Sequence, residues 1–141
     1  MKLLPQQQRW IDALRSGQYE QADSVLFNGT GYCCLGVACV LEGIEPVISC
    51  NARRFEFDGR IDVAPPTVLD SLHLFSETGH ISLDLLFESE DPDDIIRSGA
   101  IISRLGMNDC LAGLNDTGWT FEQIANFIEE NPDLVFSRMA E

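Results

Sequence analysis

Apolar positions recur at helical spacing at both ends of this chain and in shorter, alternating runs between them. Trp10, Ile11 and Leu14 form a stripe at i, i+1 and i+4. Pro5 suits a first helical turn and Gly17 a left-handed residue past the last, so a helix is predicted over 5–16. The run Ser24–Phe27 is extended in character, and Asn28-Gly29-Thr30-Gly31 supplies turn residues before Tyr32 and Cys33, predicting a small hairpin that feeds into a helix. From Cys34 the period becomes helical, with Cys34, Val37, Ala38 and Leu41 on one face and Gly43 as a stop.

Past Glu45-Pro46 the pattern turns to strands and short helices. Val47–Cys50 reads as an extended piece. Phe55–Val63 reads as a hairpin about an Asp58-Gly59 type I′ turn, with Phe55 and Phe57 on one face and Ile61 and Val63 facing them from the partner strand. Pro65-Pro66 opens a helix over 67–74, and the alternation of Ile81–Phe87 predicts a half-buried strand. Asp91 as N-cap and Pro92 at N1 then start a helix carrying Ile95, Ile96, Ile101, Ile102 and Leu105 to Gly106. Residues 109–114 predict a short helix and Asn115-Asp116-Thr117-Gly118 a turn. Thr120 and Gln123 match a capping box for a last helix, with Trp119 and Ile124 able to clasp across it and Phe121, Ile124, Ala125 and Ile128 forming its apolar face until Asn131-Pro132. These elements predict one α+β domain over residues 1–141, its terminal helices packed around a central Cys-rich helix, with one or two small antiparallel hairpins.

Composition narrows the function classes. At 141 residues and 45% apolar the chain is large enough for its own core. Its longest uncharged apolar run, about ten residues, is well short of the roughly 20 needed to cross a bilayer, and its first residues lack a signal peptide's apolar core, so a cytoplasmic protein is expected. Five cysteines, two of them adjacent, argue against a disulfide scaffold. Their spacing, with His73 and His80 far along the chain, does not match a zinc site, and no phosphate loop is present, so no metal and no cofactor is expected. With 23 acidic and 9 basic residues the net charge is −14. Such a field repels nucleic-acid phosphates and anionic membranes and favours solubility or a basic partner surface.

Two kinds of site remain. A thiol at Cys33 or Cys34, at a helix N-terminus that lowers its pKa, could act as nucleophile with His80 as base and Asp84 orienting it, and Gly79-His80-Ile81 has a superficial likeness to the histidine strand of NlpC/P60 cysteine hydrolases. Against this, free cysteines usually act as small apolar fillers. For ligand binding, Tyr32 lies at the mouth of the central helix. Arg53-Arg54 is the one paired cation and could hold a phosphate, and Asn115, Asp116 and Trp119 could present amide, carboxylate and ring to a polar ligand. An isolated arginine pair is more often a solvated loop, and helix capping accounts for the residues around 115–119.

Three stretches carry a resemblance. Trp10-Ile11-Asp12-Ala13-Leu14-Arg15-Ser16-Gly17-Gln18-Tyr19-Glu20-Gln21, then Tyr32-Cys33-Cys34-Leu35-Gly36-Val37, then Leu111 to Ala125 follow the patterns W-x-x-A-L-x-S-G-x-Y-x-Q, C-C-L-G-V and L-N-D-x-G-x-[ST]-F-x-x-I-A. In this the chain resembles a group of small bacteriophage and prophage proteins. Residues 44–105 match only through Pro65, Pro66 and Val68, and carry a longer, acidic insert with five acids between Glu88 and Asp94. The resemblance implies a small accessory protein acting in the host cytoplasm by binding: blocking or decoying a defence component with a basic surface, imitating nucleic-acid charge, or sequestering a nucleotide signal. The charge favours the first two.

Overall fold

A computed structural model of the chain describes residues 2–49 and 53–140. Helix α1 (Pro5–Arg15) begins at a proline and is followed by Gly17 at φ +76°. Its buried face is Gln7, Trp10, Ile11 and Leu14. Helix α2 (Cys34–Leu41) is apolar on nearly every side, and Cys34 to Cys39 are all buried, so it has no solvent face to satisfy and must be enclosed. Helices α1, α6 (Leu111–Asp116) and α7 (Phe121–Glu130) supply the enclosure: α1 packs on both α2 and α7, and α6 bridges α2 to α7. The expected arrangement of terminal helices around a Cys-rich centre is therefore present, in an α+β domain.

Two contacts fix α2. The Trp10 indole N–H donates to the Cys34 carbonyl at 2.9 Å, while its ring meets Phe136 edge-on at 6.2 Å. At Gly36 the backbone of Leu26 passes so close that a Cβ would overlap the Leu26 carbonyl oxygen and lie 2.8 Å from its carbon. The glycine of the C-C-L-G-V stretch is thus a crossing point between α2 and the 20–32 loop.

The sheet differs from expectation. Strand β1 (Val47–Ile48) pairs antiparallel with β2 (Phe55–Glu56), Val47 facing Glu56 and Ile48 facing Phe55. The Asp58-Gly59 turn forms as predicted, with φ of 50° and 79° and Phe57 bridging Arg60, but Ile61–Val63 does not continue as a strand. The Ile61 carbonyl instead accepts from Leu26 N at 2.8 Å, which diverts that segment from β2 to the 20–32 loop. Residues 24–33 make only bridges, Phe27 to Tyr32 and Gln21 to Tyr32, around a turn in which Asn28 Oδ1 accepts from the Thr30 and Gly31 amides. Cys50, at the end of the expected extended piece, lies outside the described residues.

Helix α3 (Pro66–Leu72) ends on His73 in the left-handed region. The predicted strand at 81–87 is not one: Ile81 and Ser82 donate to Asp109 and Leu134, and Asp84–Glu88 forms helix α4. No neighbouring strand offers a ladder there, and Leu83 and Leu86 satisfy helical spacing as well as alternation. Helix α5 (Pro92–Leu105) starts as expected, with Asp91 Oδ1 accepting from Asp93 N at 2.9 Å. Residues 115 and 116, expected in a turn, form the last turn of α6. The Thr120–Gln123 capping box opens α7, and α8 (Pro132–Val135) leads to a closing bridge between Lys2 and Ala140. Gln7, buried and unflagged by any pattern, ties three segments: its amide donates to the Leu72 and Arg138 carbonyls and its oxygen accepts from Leu4 N. No helix among the described residues is long and apolar enough to cross a membrane.

Candidate functional site

The three stretches that carry the resemblance meet at Asn115. Because α6 runs through Asp116, the Asn115 side chain turns inward beneath the N-terminus of α2. Its Oδ1 accepts from Cys34 N at 3.2 Å and from Gln21 Nε2 at 3.0 Å, and its Nδ2 donates to the Ala22 carbonyl at 2.7 Å. Gln21 extends the network, donating also to the Trp119 carbonyl at 2.7 Å and accepting from Phe121 N at 3.0 Å. Asp116 Oδ1 accepts from Ser24 N at 2.7 Å. Only 3% of Asn115 is exposed, and both polar atoms of its amide are engaged. This is a clamp joining the 20–32 loop, α2, α6 and α7, and a polar ligand would have to break it.

The cysteines follow the same logic. Cys33 is the N-cap of α2 and Cys34 its first residue, as the sequence implies, but the expected lowering of the thiol pKa is reversed. Burial pushes Cys33 up to about 11, against the smaller opposing pull of the Gly36 and Leu35 amides. Burial likewise raises Cys34 and Cys39. Desolvation of the thiolate outweighs the helix dipole here because both thiols are buried. Cys34 Sγ donates weakly to the Leu111 carbonyl at 3.8 Å. His80 is occupied through its backbone, bridging Cys110 and donating its N–H to Ser76 Oγ, and Asp84 is exposed at the start of α4. Among the described residues no hydrogen bond joins the His80 imidazole to either thiol or to Asp84. Nor do three His, Cys, Asp or Glu side chains converge among them in a way that would hold a metal ion.

Tyr32 lies in an aromatic group rather than at an open mouth. It stacks on Phe27 at 4.4 Å and 17°, meets Tyr19 edge-on at 5.7 Å, and Phe27 in turn packs on Phe55 at 4.7 Å. Arg53 and Arg54 are exposed just before Phe55, and neither is in an ion pair among the described residues. Five other arginines are held by the chain's own carboxylates: Arg9 by Glu42, Arg15 by Glu129, Arg60 by Glu77, Arg97 by Asp133 and Arg104 by Glu130. The bidentate geometry expected of arginine appears in two of these, where Arg15 clasps Glu129 at 3.0 Å through both nitrogens and Arg97 clasps Asp133 at 2.9 and 3.2 Å.

Trp119 lines two clefts. One, of about 360 Å³, also involves Arg104, Gln123, Asn126 and Glu130. Arg104 covers the Trp119 ring at 5.8 Å and the Phe127 ring at 5.7 Å while pairing with Glu130, so cation and ring meet each other rather than standing free for a ligand. The other, of about 270 Å³, lies over Gln21, Asp23, Asn115 and Gly118 and opens onto the clamp. The structure thus gathers Asn115, Asp116 and Trp119 in one region, while Arg53 and Arg54 precede Phe55, whose ring packs on Phe27.

Helix α5 buries Ser98, Ile101 and Leu105, leaving Ile95, Ile96 and Ile102 outward, 55%, 70% and 42% exposed, beside Phe87 of α4 at 60%. The signal was present in Ile95-Ile96 and Ile101-Ile102, two adjacent pairs of which a single apolar stripe can bury only part.

The family described as "Domain of unknown function (DUF8296)" matches the chain over residues 5–132. No curated protein and no solved structure matches it.

Proposed function

Taking as premise that the chain belongs to the DUF8296 family, we propose that it is a small phage-type binding protein, acting without catalysis, that inhibits or decoys a basic host component, a defence protein being the expected target. The observation that carries this reading is the sign and distribution of charge. Five arginines are neutralised internally, so the surplus of 23 acids over 9 basic residues is presented to solvent as a largely uncompensated negative surface. Such a surface steers basic partners inward and repels phosphates. Burial of the Cys33 and Cys34 thiols and the filling of the Asn115 amide support the same conclusion, since both leave the sequence's candidate chemistry engaged in holding the fold. The test is capture of host proteins on the immobilised chain at about 50 mM and about 500 mM salt, spanning strong and weak screening. Retained proteins should be basic and should elute as salt rises; retention indifferent to ionic strength would contradict the proposal.

A second reading, capture of a nucleotide signal, draws on the exposed Arg53 and Arg54 preceding Phe55 in the chain, whose ring packs on Phe27 and through it on Tyr32. Titration calorimetry with a panel of cyclic and linear nucleotides tests it, and absence of heat across the panel removes it for those ligands.

A further inference from the structure

We propose that the outer face of α4 and α5 is the surface on which a cationic amphipathic helix of the partner protein docks. The inference rests on the preceding reading and names the place where it operates. Phe87, Ile95, Ile96 and Ile102 are 60%, 55%, 70% and 42% exposed; the three isoleucines share the outward side of α5, and Phe87 belongs to α4, which packs on α5. Between Asp94 and Arg104 the one charged residue is Arg97, which Asp133 and Asn131 hold against the body of the domain. The outward side of α5 is therefore free of charge over residues 95–103, about 13 Å at 1.5 Å per residue. Gly99 falls in the middle of it, and a Cβ placed there would meet nothing, so the face is open at that point.

At the N-terminal end the face changes character abruptly. Glu88, Glu90, Asp91 and Asp93 are all exposed. Their charge complements lysines or arginines grouped at one end of an apolar helical stripe, which is the pattern of a basic amphipathic helix laid along a groove. A second copy of this chain fits poorly, because each copy carries a net charge of −14, and an anionic membrane is excluded on the same ground. The apolar side chains provide the desolvated contact, and the acids set direction and approach rate.

The probe is a synthetic peptide of about 18 residues, long enough to be appreciably helical, with leucines at i, i+3, i+4 and i+7 and lysines grouped at one end. Its affinity is measured by calorimetry for the wild-type chain, for Ile95→Gln/Ile96→Gln, and for Glu88→Gln/Glu90→Gln/Asp93→Asn. All substituted side chains are exposed save for partial cover, and circular dichroism with thermal melting confirms that the variants remain folded. We expect the isoleucine variant to bind roughly tenfold or more weakly, and the acid variant to lose most of the salt dependence of the wild-type affinity. Affinity of the isoleucine variant within about twofold of wild type would overturn the assignment. So would dimerisation in sedimentation that Ile96→Gln abolishes, since the face would then be covered by a second copy. The two proposals fail separately. If basic host proteins elute with salt from the wild-type chain and from the isoleucine variant alike, this surface is wrong and the binding function stands; if no basic protein is retained by any form, the binding function itself falls.

Discussion

Replacing Asn115 by alanine tests whether the residues of the three motif stretches form the frame. The substitution removes three hydrogen bonds at 3.2, 3.0 and 2.7 Å. Gln21 keeps its bond to the Trp119 carbonyl, so its amide is not stranded. The Cys34 N–H, at the buried start of α2, has no route to water and is left unpaired, at a cost of about 2 kcal/mol. The Ala22 carbonyl is half-buried and recovers part of its loss through solvent, which leaves about 1 kcal/mol. With a small void beneath α2 added, the destabilisation comes to about 3–4 kcal/mol. For a chain of this size that lowers Tm by about 10 °C. Urea unfolding followed by tryptophan fluorescence measures it, and Gln21→Ala in a double-mutant cycle should show a coupling of about 1 kcal/mol or more. Asp116→Ala, whose partner Ser24 N is exposed, should cost no more than about 1 kcal/mol. If Asn115→Ala unfolds within about 1 kcal/mol of wild type, the clamp is not structural and its residues are free for a ligand.

Other outcomes follow from the same geometry. Gly36→Ala forces a methyl into the Leu26 carbonyl and should cost about 3 kcal/mol or more, whereas Gly99→Ala, in open space within α5, should stabilise by about 0.5–1 kcal/mol; thermal melts of the two give opposite signs. The native chain should react with a disulfide reagent at pH 8 far more slowly at Cys33 and Cys34 than the urea-unfolded chain does, as mass spectrometry of the labelled peptides will report; rapid native labelling of either would reopen the nucleophile reading. A folded-state thiol pKa raised to about 11 from an ordinary value of 9.0 means that the unfolded chain gives up its proton first, so the contribution of Cys33 to stability is complete below pH 9 and is lost as pH rises toward 11. Cys33→Ala should flatten that alkaline slope, with Cys34 and Cys39 supplying what remains.

Much of the frame is legible in local chemistry. Pro5 and Gly17 bracket α1, Asp91 and Pro92 start α5, Thr120 and Gln123 cap α7, and Asp58-Gly59 makes the expected turn, because each device acts within a few residues of itself. The misreadings share the opposite property. Ile81–Phe87 alternates, but a strand requires a partner and Asp109 and Leu134 take its donors one at a time. Alternation pairs Ile61–Val63 with Phe55–Phe57 as the second strand of a hairpin, but the Ile61 carbonyl accepts from Leu26 N in a distant loop. Cys34 sits where a helix dipole favours thiolate, yet its burial by Trp10 of α1 and by Leu111 and Asn115 of α6 is not written in its sequence neighbours. Asn115 looks like a turn residue because asparagine so often is one, and the extension of α6 through Asp116 turns it from surface to interior. The exposed face of α5 is legible only as an excess of isoleucine, since which side of a helix is buried depends on what is packed against it.

Hydrogen exchange of the chain with and without its salt-eluted host partner tests the central claim most directly. Protection confined to residues 84–107, with exchange around Cys34 and residues 111–119 already slow and unchanged by the partner, is the result expected if the shared residues build the frame and α4 and α5 do the recognising. Protection appearing at Tyr32–Cys34 and Asn115–Trp119, with α4 and α5 unaffected, would contradict it.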